Sequence, residues 1–344
     1  MDAFTQGVIG AAATQVVYGK RLGRWALPIG WTSGMLADAD VFVTAAADPL
    51  FSWTFHRSVT HALAFIPVGA LLAMLPFLAA PSLRERWQAV YGASFLGYAT
   101  HALLDGCTTY GTLLYWPFSD TRVSWDVISI IDPLFTLLLL AGVVWSTLRR
   151  SPWPARVGAV CAGAYMALCV HQHDRATAAQ ARIVAARGHE VAASRVMPTL
   201  GQSLLFRSLY RTRDGMMYAD AIRVPYWAAP TMRAGAKAAV FDPADEKWIE
   251  RAVDRDRMRR DLARFAWFAD GYWARTPGQP ELVGDMRITR DPASLEPLWG
   301  ISLHAEDPTP VHAERGVGGG VRSISVSALW REIAGSDPRH VPVP

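Results

Sequence analysis

Residues 62–80 read ALAFIPVGALLAMLPFLAA, a run without a single charge. Its length is close to the roughly 20 residues an α-helix needs to cross the hydrocarbon core of a bilayer. Two further stretches share this character: 88–104, QAVYGASFLGYATHALL, with only the titratable His101, and 127–148, VISIIDPLFTLLLLAGVVWSTL, with one acid, Asp132. The pattern predicts three transmembrane helices. Pro67 and Pro76 fit such a span, because neighbouring helices in a membrane satisfy the carbonyls that proline frees. Segments 3–18, 25–37 and 157–172 are apolar or rich in small residues, and their reading stays open between full spans, short tilted spans and a buried hairpin.

Charge divides the chain in the same place. Residues 1–172 hold 10 Lys/Arg and 9 Asp/Glu, against 24 and 21 in 173–344. A uniform water-soluble domain carries about a quarter charged residues throughout, so the expected organisation is a transmembrane helical metal-site domain over 1–172 and a soluble domain over 173–344. The expected fold class is mainly α: a polytopic helical membrane bundle followed by a soluble α+β domain. The net charge of +4 is mild, and the basic residues of the second half alternate with acids, so no nucleic-acid partner is expected. Cys107, Cys161 and Cys169 lack CxxC spacing and indicate neither a disulfide framework nor a thiolate site. The first 19 residues lack the basic start and apolar run of a secretory signal.

If the chain alternates sides, one face receives Lys20, Arg21, Arg24, Arg84, Arg86, Arg149, Arg150 and Arg156, and the other only Arg57 and Arg122. That bias puts the basic loops in the cytoplasm and the rest, with the C-terminal domain, on the extracytoplasmic side of a bacterial inner membrane. The second half is expected to hold a polar helix near 174–187 and strands around 204–212 and 216–225 about the turn 213–215. A charged helix over 244–264 follows, then strands in FAWFADGYWA, DMRIT and LWGISLH, with a mobile turn at 318–320. Trp267, Tyr272 and Trp273 read as core or interface anchors, and His171 and His173 as interfacial.

Acids and histidines beside the apolar runs carry the chemistry: Asp38 and Asp40, His56 and His61, His101 and Asp105, Asp126 and Asp132. An Asp at the centre of a span costs about 2.5–3.5 kcal/mol on insertion scales, so these groups pair, meet water or hold a cation. The alternating topology puts all eight near one side. His101 and Asp105, four apart, project from one helix face. His56 and His61, five apart, converge only if His56 lies in a loop and His61 opens the next helix, with Ser58 or Thr60 as cap. Imidazole and carboxylate without thiolate suit Zn²⁺, Mn²⁺ or Fe²⁺ and leave one metal or two open. The plainer readings are a hydrogen-bonded His–Asp pair, a solvated helix end at Asp38 and Asp40, and an N-cap at Asp132 before Pro133.

HRSVTHA at 56–62, GYATHALLDGCTTYGTLLYWPFS at 97–119 and IDPLF at 131–135 resemble the membrane-bound metal-dependent hydrolases, also described as LexA-binding, inner-membrane-associated hydrolases. The matching residues are Asp38, Asp40, His56, Arg57, Thr60, His61, Gly97, Tyr98, His101, Asp105, Tyr110, Gly111, Pro117, Phe118, Ser119 and Asp132. The likeness covers roughly residues 1–150; it departs where LADAD lacks a proline before the first acid and where Ala62 replaces a serine. It implies an integral membrane hydrolase, and its His-x3-Asp helix looks like that of zinc phospholipases C, which points to a phosphoester. The resulting expectation is metal-assisted hydrolysis by an activated water at the membrane surface, with Asp38, Asp40, His56, His61, His101, Asp105 and Asp132 as metal ligands. Arg57 would neutralise an anionic oxygen, or else contact a lipid headgroup. Asp126 would transfer protons, or else be a solvated loop acid. Zn²⁺ is the expected ion, and membrane lipids and a small-molecule or lipid-linked substrate are the expected partners, with no protein partner specified. Two rivals are an ion-coupled transporter or channel with an Asp/His relay, which predicts repeats, and a non-catalytic membrane scaffold.

Overall fold

A computed structural model describes residues 1–243, 248–317 and 325–344. The turn expected at 318–320 and positions 244–247 of the expected charged helix lie outside the described residues. The chain forms two compact units: Met1–Thr44, Phe55–His171 and Leu200–Gln202 in one, Ala45–Thr54, Gln172–Thr199 and Ser203–Pro344 in the other. Its helices up to the middle of the chain are α1 (Ala3–Leu22), α2 (Ala26–Met35), α3 (Phe51–Phe55), α4 (Ile66–Met74), α5 (Pro81–Arg84), α6 (Trp87–Gly106), α7 (Pro133–Arg149) and α8 (Trp153–Arg187).

In the first unit α1, α2 and α6 meet through glycine. A Cβ at Gly30 would lie 2.4 Å from the Gly10 carbonyl oxygen, and one at Gly34 2.3 Å from that of Gln6, so any side chain forces the two backbones apart. Small residues at such spacing let helices approach at backbone distance. The contact has a consequence for the site, since the Gly34 carbonyl accepts a hydrogen bond from His101 of α6. Gly34→Val is therefore expected to cost about 1–3 kcal/mol by overpacking. Thermal unfolding in detergent checks this against Gly163→Ala, where a Cβ meets nothing within 4 Å.

The apolar runs do not build a polytopic bundle. Among the described residues one helix, the 35-residue α8, is long and apolar enough to cross a membrane. Phe51–His61 and Leu63–Ala79 pass the same test only as a pair bent by 58°, and α7 is too short. The reasons are local. Pro67 and Pro76 sit at the starts of α4 and of a 3-10 turn, Leu75–Ala79, so 62–80 is not one helix. Residues 127–132 are not helical, and α7 begins only at Pro133, capped by Asp132. α1 buries Thr5, Gln6, Thr14 and Gln15, polar groups that lower its hydropathy. The assignment of basic loops to one side rested on alternating spans, which this fold does not supply. The segments 157–172 and 174–187 are one continuous α8.

A mainly α chain is also overturned, because the second half is built on antiparallel sheets. β1 (Val191–Pro198), β2 (Leu205–Thr212), β3 (Met216–Arg223) and β4 (Thr231–Ala239) form one sheet in sequence order, and β5 (Trp273–Thr276), β6 (Gln279–Asp285), β7 (Trp299–Leu303) and β8 (Val311–Arg315) form another; β9 (Val341–Pro342) joins the edge of the first beside β4. The charged helix splits into α9 (Trp248–Arg251) and α10 (Arg255–Phe268), and FAWF ends α10 instead of opening a strand. α11 (Val326–Ala334) follows β8. The polar half of α8 covers the first sheet: Ala176, Ala179 and Ile183 pack with Val196, Phe206, Ile222 and Val224. His173 Nε2 donates to the Val196 carbonyl (3.0 Å). Tyr272 and Trp273 are buried core residues. Residues 45–54 belong to this unit, where Trp53 stacks on Phe268 at 5.4 Å and Arg264 forks onto Asp48 at 2.9 and 2.8 Å.

One buried pair sets an acid limit for the second unit. Asp285 is fully enclosed; Arg287 holds it at 2.9 and 2.7 Å, and Trp299 Nε1 donates to it at 3.1 Å. Burial opposes ionisation of Asp285, but the Arg287 charge and hydrogen bonds outweigh it and hold the carboxyl below its ordinary value. A depressed folded pKa contributes stability that is complete above the unfolded value near 4 and lost as pH falls through the folded value. Asp285→Asn strands the Arg287 charge and is expected to cost about 3 kcal/mol at pH 7. The gap between variant and parent in thermal unfolding should narrow below about pH 4.

Candidate metal centre

Four side chains of the first unit converge: Asp38 from the 3-10 turn Leu36–Phe42, His61 from the turn Val59–His61, and His101 and Asp105 from α6. One donor atom from each lies within 4.8 Å of all the others. His61 Nε2 and His101 Nε2 are 3.0 Å apart; Asp38 Oδ1 is 3.4 and 3.3 Å from them, and Asp105 Oδ2 is 3.5 and 3.6 Å from them. Ligand bonds of 2.0–2.2 Å in a tetrahedron give edges of about 3.4 Å. The four nitrogen–oxygen separations lie near that edge length, while the two Nε2 atoms stand closer, at hydrogen-bond distance.

Both rings turn Nε2 inward. His101 Nδ1 lies 2.6 Å from the Gly34 carbonyl, which only accepts, so Nδ1 carries a proton and Nε2 is the atom turned toward the centre; burial opposes a charge on this ring, but the Asp105 and Asp38 carboxylates outweigh it and push its pKa up to about 9. On His61, Nδ1 faces Thr60 Oγ1 at 3.0 Å, and that hydroxyl donates to Asp40 Oδ2 at 2.9 Å. The His61 proton therefore also points outward and its Nε2 inward. Two imidazole Nε2 atoms and two carboxylate oxygens meet at one point. Asp105 Oδ2 is buried and makes no hydrogen bond of good angle among the described residues; its charge is met by Arg57 Nε at 3.1 Å.

Around this point the chain is bent and braced. Ala62 is extended between two 3-10 turns, so His61 ends one segment as the next turns away. Tyr98 fills the angle: its ring lies over Gly69, where a Cβ would come within 2.3 Å, and its hydroxyl donates to the Thr60 carbonyl at 2.7 Å. Leu113 N–H donates to the Arg57 carbonyl and Leu63 N–H to that of Leu114, both at 2.9 Å, so the loop after α6 holds this bend. Asp105 Oδ1 accepts from the Met1 amino group and from Gln6 Nε2 at 2.8 Å. Arg57, with φ of 63°, sets Nε 3.1 Å from Asp105 Oδ2, donates from Nη1 to Thr108 Oγ1 at 3.1 Å and lies over the Tyr110 ring at 4.8 Å. It is a buried counter-charge for Asp105, not a lipid-headgroup contact.

Asp40 and His56 form a second layer. With His61 they make a second group whose donor atoms lie within 4.8 Å of one another; His56 Nδ1 is 2.7 Å from Asp40 Oδ1, a hydrogen bond, while Asp40 Oδ2 also accepts from Arg57 N–H at 3.2 Å. Burial opposes ionisation of Asp40, yet hydrogen bonds from His56 and His61 outweigh it and hold the carboxyl well below the usual carboxylate range. The His56 side chain is 22% exposed and that of Asp38 19%, whereas His61, His101 and Asp105 are closed off, so solvent approaches from the Asp38 and His56 side.

Of the expected ligands, Asp132 stands elsewhere. Its Oδ1 accepts from Phe135 N–H at 3.1 Å and its Oδ2 from Tyr165 at 2.8 Å, which makes it the cap of α7. Asp126 is buried in left-handed backbone, φ 55°, between Trp125 and Val127, whose N–H groups bond Gly106 and Cys107 at the end of α6. Gln6, Gly34 and Thr108 were not singled out from sequence, although Thr108 lies in the 97–119 motif, and Tyr98 was named only as a residue of that motif.

Residues 1–176, just over half of the chain, match the model of a family described as YdjM inner membrane protein. No curated protein and no solved structure matches the chain.

Proposed function

The chain belongs to the YdjM inner membrane protein family, and from that membership and the four-atom centre we propose that it is a metal-dependent hydrolase of the inner membrane. The observation that carries the proposal is the pair of inward Nε2 atoms facing two carboxylate oxygens at 3.3–3.6 Å. Asp38, His61, His101 and Asp105 would hold a divalent ion, with Zn²⁺ favoured by two imidazoles and no thiolate. Bound there, the ion supplies positive charge that lowers the pKa of water and polarises the bond under attack. The remaining work falls to the chain. The Gly34 carbonyl and Thr60 fix the two imidazoles, Arg57 offsets the Asp105 charge, and Asp40 orients His56 at the solvent edge to take or return a proton. A phosphoester, free or lipid-linked, is the substrate class proposed.

The test is turnover of bis(p-nitrophenyl) phosphate and of a lipid phosphodiester by zinc-loaded protein in detergent, beside His101→Ala. His56→Ala should keep its metal and lose about 10²–10⁴ in rate. Zinc-loaded protein with no turnover above His101→Ala on either substrate would sink the hydrolase reading.

A further inference from the structure

α8 and the loop between β3 and β4 form a second, unrelated feature. The first 20 residues of α8, Trp153 to Gln172, rise about 30 Å, the thickness of the hydrocarbon core. Val157, Val160, Leu168 and Val170 stand exposed along that length. Arg175 lies three residues further, about 4.5 Å beyond the apolar run. Its guanidinium binds the 225–230 loop: Nη1 donates to the Pro225 carbonyl at 2.7 Å and the Tyr226 carbonyl at 3.4 Å, and Nη2 to that of Ala228 at 2.8 Å. Gln172, one turn back, donates to the Val224 carbonyl at 2.7 Å. Pro225 and Pro230 close the loop at both ends, and at its tip Trp227 is 96% exposed, edge-on to Tyr226 at 5.6 Å.

A chain gains nothing by bracing a tryptophan in water. A rigid loop that presents Trp and Tyr at the level where an apolar helix turns polar has the chemistry of a membrane–water interface, where both rings find an apolar and a wet side. We propose that the 225–230 loop is an interfacial anchor: Trp227 and Tyr226 insert at the headgroup level of the bilayer that α8 enters, and Arg175 fixes their depth. The loop thereby holds the near end of the β3–β4 hairpin at the lipid surface, independently of what the metal centre does.

The turn at Arg213 provides an internal control. β3 runs eight residues from that turn to the loop, about 25 Å at strand rise, so Arg213 should stay in water. The experiment uses full-length protein with Cys107, Cys161 and Cys169 replaced by serine or alanine, Trp227→Cys or Arg213→Cys labelled with a polarity-sensitive fluorophore, and phosphatidylethanolamine/phosphatidylglycerol vesicles. The expected result is blue-shifted emission at 227, quenching by shallow brominated lipids, and a several-fold smaller iodide quenching constant than at 213. Arg175→Met in the same background should lower the lipid quenching at 227. Equal iodide quenching at both positions, with no lipid quenching at 227, overturns the proposal. Should Arg175→Met fail to fold, the comparison of 227 with 213 decides alone.

Discussion

Purified in the presence of zinc, the chain is expected to hold about one tightly bound ion, and His101→Ala and Asp105→Ala close to none. The two substitutions act on one point from one helix face, since both side chains leave α6 four residues apart. Removing either leaves three ligands and, for His101→Ala, frees the Gly34 carbonyl that fixed the ring. Asp40→Asn should behave differently. It keeps all four ligand atoms but weakens the acceptor behind Thr60 and His61, and such outer partners typically cost 10–100-fold in affinity. Asp132→Asn keeps an oxygen to cap α7 and lies outside the centre, so it should keep the ion with little loss of stability. Elemental analysis after gel filtration reads all four variants. Full metal content in both His101→Ala and Asp105→Ala would sink the proposed centre, and loss in Asp132→Asn would show the ligand set to be misassigned.

That ligand set was half legible in the sequence. His101 and Asp105 are local: four residues on one helix determine a shared face whatever the helix packs against. His56 and His61 are not, because their convergence needs the chain to break at Ala62, and the apolar run beginning there read as a continuous span. Asp38 and Asp40 were both offered as ligands, and the missing proline before Asp38 weakened the one that reaches the centre. The 3-10 turn that carries them sends one to the centre and the other to His56, a division that two-residue spacing does not reveal. Asp132 was misleading for a related reason, since Asp-Pro before an apolar helix satisfies both a ligand pattern and a cap. Hydropathy misled most on fold. It cannot distinguish an apolar helix that faces lipid from one that buries itself against glycine, and the Gly10, Gly30 and Gly34 contacts are long-range. The place of residues 45–54 in the second unit was equally hidden, because it rests on Arg264 and Phe268 more than 200 residues away.

Chelation should destabilise the first unit by an amount set by the affinity of the centre. A ligand present at 1,000 times its dissociation constant, and bound only by the folded chain, stabilises it by about 4 kcal/mol. For a unit of this size that corresponds to a drop of roughly 8–16 °C on chelation. The structure specifies which transition should move. The centre ties the turn of Asp38, the bend at His61 and the end of α6 into one cross-link, so the ion should raise the transition that Gly34→Val lowers. The transition sensitive to Asp285→Asn lies in the other unit and should stay put. Asp105→Asn provides the decisive control: it removes ligand charge, relieves the carboxylate crowding without metal, and should unfold at one temperature with zinc or with chelator. Thermal scans of the parent and these three variants, each with excess zinc and with EDTA, make the measurement. A parent transition that ignores both reagents would mean that no ion links these elements. A shift that persists in Asp105→Asn would place the ion elsewhere in the chain.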